Sequence, residues 1–87
     1  MPEVTIQRLA DLLPRLELYN GFGATETTSA VTLTERGDAA RHPDSVGTVV
    51  PCVDIRILSP EGQEVPPGEA GELWIRSPGN AIGYWNN

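Results

Sequence analysis

The residues best suited to chemistry lie in one short stretch, Asn20 to Ser29. An aromatic ring, Phe22, stands between two glycines there, and a hydroxyl and a carboxylate follow at Thr25 and Glu26. Glycine lets a ligand come close to the backbone, and a flat ligand ring could stack on Phe22. Thr25 could bond a phosphate oxygen, and Glu26 could hold Mg²⁺, which favours one or two carboxylates together with substrate phosphates. From the residues alone, a glycine-rich strand end followed by a threonine-rich turn is the favoured interpretation of the stretch, and a binding site is the alternative.

Other candidates for chemistry stand alone. Glu69 and Glu72 are three residues apart but flank a turn, so we interpret them as solvated surface carboxylates rather than an acid–base pair. His42 has no partner in the sequence and is expected in a solvated loop. Cys52 is the only cysteine, which excludes an internal disulfide and the usual kind of zinc site. We expect it to be a small buried residue or the first residue of a strand.

The first half of the chain predicts a helix and then a strand that leads into the Phe22 stretch. Ile6, Leu9 and Leu13 recur at helical spacing, and Pro14 ends the pattern. The predicted order is a helix at 3–13, a buried strand at 16–22, a short strand or capped turn at 24–34, and a polar connection at 35–45.

The second half predicts two antiparallel strands. Val53, Ile55 and Ile57 alternate with polar residues, as do Leu73 and Ile75, which is typical of half-buried strands. Two proline- and glycine-containing turns separate the runs. This alternation places Trp74 on the outer face, where it either covers an arginine stem or meets something outside the chain.

The predicted fold class is therefore α+β and rich in strand: one N-terminal helix, a strand that ends at Phe22–Glu26, and a small antiparallel sheet or partial barrel. We expect residues 1–87 to form a single small domain. Its predicted parts are 1–34 with the helix, strand and candidate site, 35–45 as connection, and 46–87 as an antiparallel β subdomain.

Composition and charge exclude several function classes. The 87 residues carry 6 basic and 12 acidic side chains, for a net charge of −6, and every basic residue is arginine. An acidic chain without clustered basic residues is a poor surface for nucleic acid or anionic membranes. The absence of lysine excludes a P-loop and Schiff-base chemistry within this sequence. No apolar run is long enough for a membrane span and no leader is recognisable, so we expect a cytoplasmic protein.

The stretch Phe22-Gly23-Ala24-Thr25-Glu26 resembles the aromatic-Gly-x-Thr-Glu signature of the adenylate-forming superfamily. That superfamily includes acyl-CoA synthetases, luciferases and the adenylation domains of peptide synthetases. The resemblance extends over about residues 16–87. Its further matches, in the family's order and spacing, are Ser45-Val46-Gly47, Pro51, the predicted strand 53–58, Gly62, the run 67–76, Pro78-Gly79 and 83–86.

The resemblance implies an ATP-dependent enzyme that activates a carboxylic acid, expected to be a fatty acid, as acyl-AMP and transfers it to coenzyme A. It assigns Phe22 to stacking on adenine, Thr25 to contact with the α-phosphate, and Glu26 to Mg²⁺. Gly23 and Ala24 would border the acyl carboxylate. Alanine at position 24, where peptide-synthetase domains have proline, favours a CoA ligase.

Several family features have no counterpart in the sequence: the lysine-containing phosphate loop, the ribose-binding aspartate and the catalytic lysine. We therefore expect a piece of a longer enzyme that is inactive alone and works with the rest of that enzyme. Exposed sheet edges would also allow self-association. The alternatives are a piece of a peptide-synthetase adenylation domain and a non-enzymatic β module.

Overall fold

The chain begins with one main helix. The computed structural model describes residues 1–86, so the last residue of the predicted β subdomain, Asn87, lies outside the described part. Helix α1 spans Glu3–Leu12, one residue shorter than predicted, with the acidic Glu3 in its first turn, where the helix dipole favours a negative charge. Ile6 is its buried residue, whereas Leu13 is half exposed. The helix therefore rests on the protein through a narrow strip.

A three-stranded antiparallel sheet follows, in the order β1 (Gly21–Gly23), β2 (Ala30–Leu33) and β3 (Thr48–Val49). The prediction of a buried strand over 16–22 is wrong in both length and burial, since only the last residues pair and Leu16 and Phe22 are exposed. The reason is that β2 offers partners only to residues 21–23. Strand β3 was not predicted; it lies in the second half of the chain yet pairs with β2.

The stretch 24–34, left open between turn and strand, contains both. A 3₁₀ turn spans Thr25–Thr27, and β2 begins three residues later. The polar connection 35–45 includes a single helical turn, α2 (Asp38–Arg41), preceded by Gly37 in the left-handed region at φ 82°. Its Ala39 is buried, and α2 packs near α1.

The second half forms the predicted antiparallel pair, β4 (Asp54–Leu58) and β5 (Glu72–Arg76). Opposed residues in the register share a face, so the two isoleucines of β4 lie on one face with Leu73 and Ile75. Trp74 lies opposite Arg56 on the other face and is 56% exposed. Within this chain, then, the outer tryptophan has arginine stems as neighbours.

The buried core is small. Among residues 1–86, its apolar members are Ile6, Val31 and Ala39, and three threonines in or beside the first sheet are also buried: Thr27, Thr32 and Thr34. The fold is α+β, with one main helix and small antiparallel sheets, as the sequence predicts. Among the described residues, no helix has the length and apolar character required to cross a membrane.

Candidate functional site

The Phe22–Glu26 stretch runs off the end of β1 into the 3₁₀ turn. The register between β1 and β2 shifts between Phe22 and Gly23, an irregularity that bends a strand and redirects the side chains that follow. A Cβ atom at Gly23 would lie 2.8 Å from the Ser29 carbonyl oxygen. Glycine is therefore required at position 23 because two backbone segments are in contact there, whether or not a ligand also approaches this backbone.

The buried Thr27 hydroxyl fixes the shape of the turn. It accepts a hydrogen bond from the Ala24 amide at 2.9 Å. Its own proton can go to the Ala24 carbonyl at 2.9 Å or the Ser29 carbonyl at 3.0 Å. One side chain thus ties both ends of the turn together and leaves Thr25 and Glu26 exposed between them. The sequence reasoning assigned no role to Thr27, and the usual capping signal is absent, because the N-cap residue three positions before it is Ala24 rather than Ser, Thr, Asp or Asn.

Phe22 is 38% exposed, so part of its ring is open to a ligand. In the register of the sheet, Phe22 is paired with Thr32 of β2, so the two side chains lie on the same face. The Thr32 side chain is buried, and its hydroxyl has no hydrogen-bond partner among the described residues. The Phe22 ring thus lies beside Thr32 of β2 on one side and is partly exposed to solvent on the other.

Thr25 and Glu26 line a pocket of about 310 Å³ together with residues from the end of the described chain. The other lining residues are Ala81, Gly83, Tyr84 and Trp85. The structure therefore brings the proposed phosphate and metal residues together with segment 81–85. It does not bring Phe22, Gly23 or Ala24 into the lining of this pocket, so the predicted site residues divide between β1 and the pocket.

Tyr84 is a site residue that sequence reasoning missed. Its hydroxyl donates a hydrogen bond to Glu26 Oε1 across 58 positions of sequence. That hydrogen bond, followed by partial desolvation and the charge of Glu26, raises the pKa of the Tyr84 phenol above its ordinary value. The signal was present as the aromatic pair Tyr84-Trp85 within a segment that resembles the family, but nothing local in the sequence connects it to Glu26.

The isolated candidates remain apart from this pocket. His42 is exposed directly after α2, and Glu69 and Glu72 are exposed at and after the turn before β5. Cys52 is exposed rather than buried and lies in a turn with φ 69°, before β4 begins. In residues 1–86, no group of three or more His, Cys, Asp or Glu side chains could hold a metal ion.

Comparison with known proteins connects this geometry to one family. Residues 1–85 match the family described as AMP-binding enzyme. Acyl-CoA synthetase 7 of Caenorhabditis elegans is 39% identical over 85 residues, which is 97% of this chain and 15% of that protein. The chain thus spans about one seventh of the length of this curated relative.

Solved structures share the fold. The benzoate CoA ligase from Burkholderia xenovorans LB400 superposes with a TM-score of 0.85 at 31% identity, over 100% of this chain and 17% of the ligase. PA1221, a peptide-synthetase protein containing adenylation and PCP domains, gives a TM-score of 0.79 at 30% identity, over 97% of this chain and 18% of that protein. With a family match over nearly all of its residues and the same fold in these enzymes, the chain belongs to the AMP-binding enzyme family.

Proposed function

We propose that this chain contributes the end of the nucleotide site to a longer acid–thiol ligase that uses ATP, a carboxylic acid and coenzyme A. In the first step, a carboxylate oxygen attacks the α-phosphorus of ATP, and pyrophosphate leaves with the electrons of the broken bond. In the second step, the CoA thiol attacks the acyl carbon, loses its proton and displaces AMP. The observation that supports this most strongly is the family match over residues 1–85, which includes the Phe22–Glu26 stretch.

The exposed groups of the chain suit binding and orientation. The open side of Phe22 can stack on adenine, and Thr25 can donate its hydroxyl proton to an α-phosphate oxygen. Gly23 and Ala24 lie between these two groups, which would place the acyl carboxylate beside the phosphorus it attacks. The Thr27 hydrogen bonds preorganise this arrangement because they hold the turn before substrate arrives.

Glu26 fits a magnesium ion bound mainly by substrate. It is exposed, it belongs to none of the ion pairs found among residues 1–86, and no cluster of metal-binding side chains surrounds it. A lone carboxylate is unsuited to a structural metal but matches Mg²⁺, which takes one or two carboxylates and completes its shell with water and phosphates. When bound, Mg²⁺ would neutralise phosphate charge. The role of Glu26 would be to hold the magnesium ion beside Thr25.

We propose coenzyme A as the thiol and fatty acids as the first class of acid to test. Alanine at position 24 supports CoA, as does the name of the Caenorhabditis elegans relative. The likeness to PA1221 supports the alternative, in which the thiol belongs to a carrier protein. The benzoate ligase supports aromatic acids as the alternative acid class.

The test uses the full-length enzyme that contains this chain. Pyrophosphate exchange with fatty, aryl and amino acids identifies the acid, and transfer of the acyl group to CoA or a carrier protein identifies the thiol. We expect exchange with fatty acids and transfer to CoA. Amino-acid activation with transfer only to a carrier protein would instead establish the adenylation-domain alternative, and no exchange with any acid would overturn the proposal.

A variant tests the role of Glu26 in the same enzyme. Glu26→Gln keeps the size of the side chain but removes its charge, so kcat/KM for adenylation should fall by about 10²-fold, as with other lost charge stabilisers. Added Mg²⁺ should restore part of the loss, and transfer from preformed acyl-AMP should suffer far less because pyrophosphate has already left. The matched control Glu69→Gln, at an exposed turn, should leave both steps unchanged. Equal losses in both steps without Mg²⁺ rescue would show that Glu26 is structural.

A further inference from the structure

The segment 79–84 is attached to the turn that carries Glu26. The Thr28 hydroxyl donates to the Gly79 carbonyl at 2.6 Å, and the Ala81 amide donates to the Glu26 carbonyl at 2.7 Å. The Tyr84 hydroxyl adds a third hydrogen bond, to the Glu26 carboxylate itself. Three contacts across more than fifty positions of sequence make the turn and this segment one local unit.

Close packing requires the same arrangement. A Cβ atom at Gly79 would lie 2.7 Å from the Thr27 carbonyl oxygen, so the two backbones meet directly. On the other side, the Asn80 side-chain amide donates to the Ile75 carbonyl of β5 at 2.9 Å. The segment is therefore anchored to both β5 and the motif turn. Tyr84 therefore contacts Glu26 from a segment that is held by hydrogen bonds at Gly79, Asn80 and Ala81.

The partner of Glu26 is a neutral donor. Tyr84 engages one carboxylate oxygen, Oε1, and the other has no hydrogen-bond or ion-pair partner within residues 1–86. A tyrosine hydroxyl is uncharged at neutral pH and can donate its proton to the carboxylate without neutralising it. An arginine in this place would orient the carboxylate but also neutralise it. A phenol orients it and leaves the negative charge available to a cation.

We propose that Tyr84 is a positioning residue, which holds the Glu26 carboxylate in one orientation so that its free oxygen meets the magnesium ion of Mg·ATP. This inference rests on the proposed function, because it acts through the role given there to Glu26. It adds a residue 58 positions away, whose side chain acts on the metal through Glu26 rather than as a ligand.

The first experiment measures the affinity of the full-length enzyme for ATP by calorimetry at several Mg²⁺ concentrations. Tyr84→Phe removes only the hydroxyl, so the affinity should fall by about tenfold at limiting Mg²⁺, the size expected for one hydrogen bond to a charged group. The loss should shrink as Mg²⁺ rises. Tyr19→Phe is the matched control, because Tyr19 makes the same kind of bond to Glu17 at 3.2 Å; it should leave the affinity unchanged.

A double variant separates positioning from a merely structural role. If Tyr84 acts through Glu26, Tyr84→Phe in a Glu26→Gln background should cause no further loss of ATP affinity or adenylation rate. Additive losses would overturn the proposal, as would a lowered Tm without any change in the Mg²⁺ dependence. If Glu26→Gln alone leaves Mg²⁺ dependence intact, the metal role in the proposed function fails. If only Tyr84→Phe is silent, the present inference fails and that function stands.

A second measurement applies where Tyr84→Phe does not fold. Replacing Tyr84 with 3-fluorotyrosine keeps the hydroxyl and almost the same volume, so the contacts of the segment remain. Its ¹⁹F resonance should shift when Mg²⁺ is added to the complex with ATP, because the charge of Glu26 is then partly neutralised. A resonance unmoved at saturating Mg²⁺ would overturn the proposal.

Discussion

Phe22 is the residue whose proposed role separates most cleanly from folding, because its ring is partly open and lies on a strand end rather than in the core. In the full-length enzyme, Phe22→Ala removes the stacking face for adenine, worth about 1–3 kcal/mol by analogy with other base–aromatic contacts. KM for ATP should rise while kcat changes little, since the contact exists in ground and transition states alike. Phe22→Tyr should be nearly silent. An unchanged KM for ATP in the alanine variant would show that Phe22 packs against the protein and does not stack on adenine.

The two tyrosines make a second prediction, for alkaline pH. A hydrogen bond to a glutamate, Glu17 for Tyr19 and Glu26 for Tyr84, raises the pKa of each phenol above 10.0. The folded chain therefore holds these protons more tightly than the unfolded chain does. The resulting stabilisation is fully present below pH 10 and is lost as pH rises through the folded pKa.

Absorbance at 295 nm measures this titration, with Tyr19→Phe and Tyr84→Phe variants of the 87-residue chain each reporting the remaining phenol. Glu26→Gln should lower the titration midpoint of Tyr84 and leave that of Tyr19 in place. Circular dichroism over the same range shows whether the chain is still folded. A Tyr84 midpoint unaffected by Glu26→Gln would mean that the two side chains do not meet in solution.

Residue types in the motif were predictable, and their partners were not. Phe22, Thr25 and Glu26 were identified through the resemblance of Phe22-Gly23-Ala24-Thr25-Glu26 to the family signature, because their residue types alone favour a glycine-rich strand end and a turn. No local pattern predicts that Tyr84 bonds Glu26, because that contact depends on how β5 and the turn after it direct the chain back over the motif. The roles of the motif residues themselves stay predictions for the experiments above.

At the scale of elements, one glycine allows β3 to pair with β2 in the three-stranded sheet. Gly47 precedes β3 with φ 87°, and a Cβ atom there would lie 2.1 Å from the carbonyl carbon and oxygen of Leu33. Both conditions exclude a side chain: the left-handed backbone costs about 1 kcal/mol or more, and the overlap with backbone atoms cannot be relieved by a rotamer change. Gly47→Ala should therefore separate β3 from β2, with a loss of several kcal/mol in the free energy of unfolding.

Gly68 supplies the matched control for that prediction. It also has a positive φ, 89°, but nothing lies within 4 Å of a Cβ placed on it. Gly68→Ala thus carries the backbone cost alone, about 1 kcal/mol. Urea denaturation of the full-length enzyme, followed by circular dichroism, compares the two variants. Equal losses would show that backbone conformation, rather than the contact with Leu33, makes Gly47 necessary.

The elements that the sequence predicts well are those in which apolar and polar residues alternate over several positions. The alternation of Val53, Ile55 and Ile57 identifies β4 and its apolar face without reference to any other strand, although Ile57 is exposed in this chain, and β5 is identified in the same way. Strands β1 and β3 have three and two residues, too few for a period, so their bounds are set by the partner that β2 provides. This is why the predicted strand 16–22 is wrong in length and why β3 was missed.

At the scale of the whole molecule, the described chain exposes more surface than a self-sufficient domain. Its accessible surface is 7123 Å², against about 5,000 Å² for a compact monomer of 9.4 kDa. The radius of gyration is 15.8 Å, against about 12 Å for 87 residues. Exposed apolar side chains occur on α1, on both sheets and at Trp85. These values agree with the small core and with a chain that spans about one seventh of the curated relative it matches.

The same surface leads to the last prediction, that the 87-residue chain alone makes no acyl-adenylate. Adenylation needs cationic groups fixed around the charge that develops on the phosphates, and this sequence contains no lysine. Within residues 1–86, four of the six arginines already pair with carboxylates: Arg36, Arg41, Arg56 and Arg76. A net charge of −6 further opposes the approach of ATP. Pyrophosphate exchange with a panel of fatty and aryl acids should stay at the level of the protein-free blank, while the full-length enzyme, assayed in parallel, should exchange. Exchange by the isolated chain would contradict the view that the phosphate-binding cations come from the rest of a longer enzyme, and a binding site for ATP built from arginines would then have to be sought within these residues.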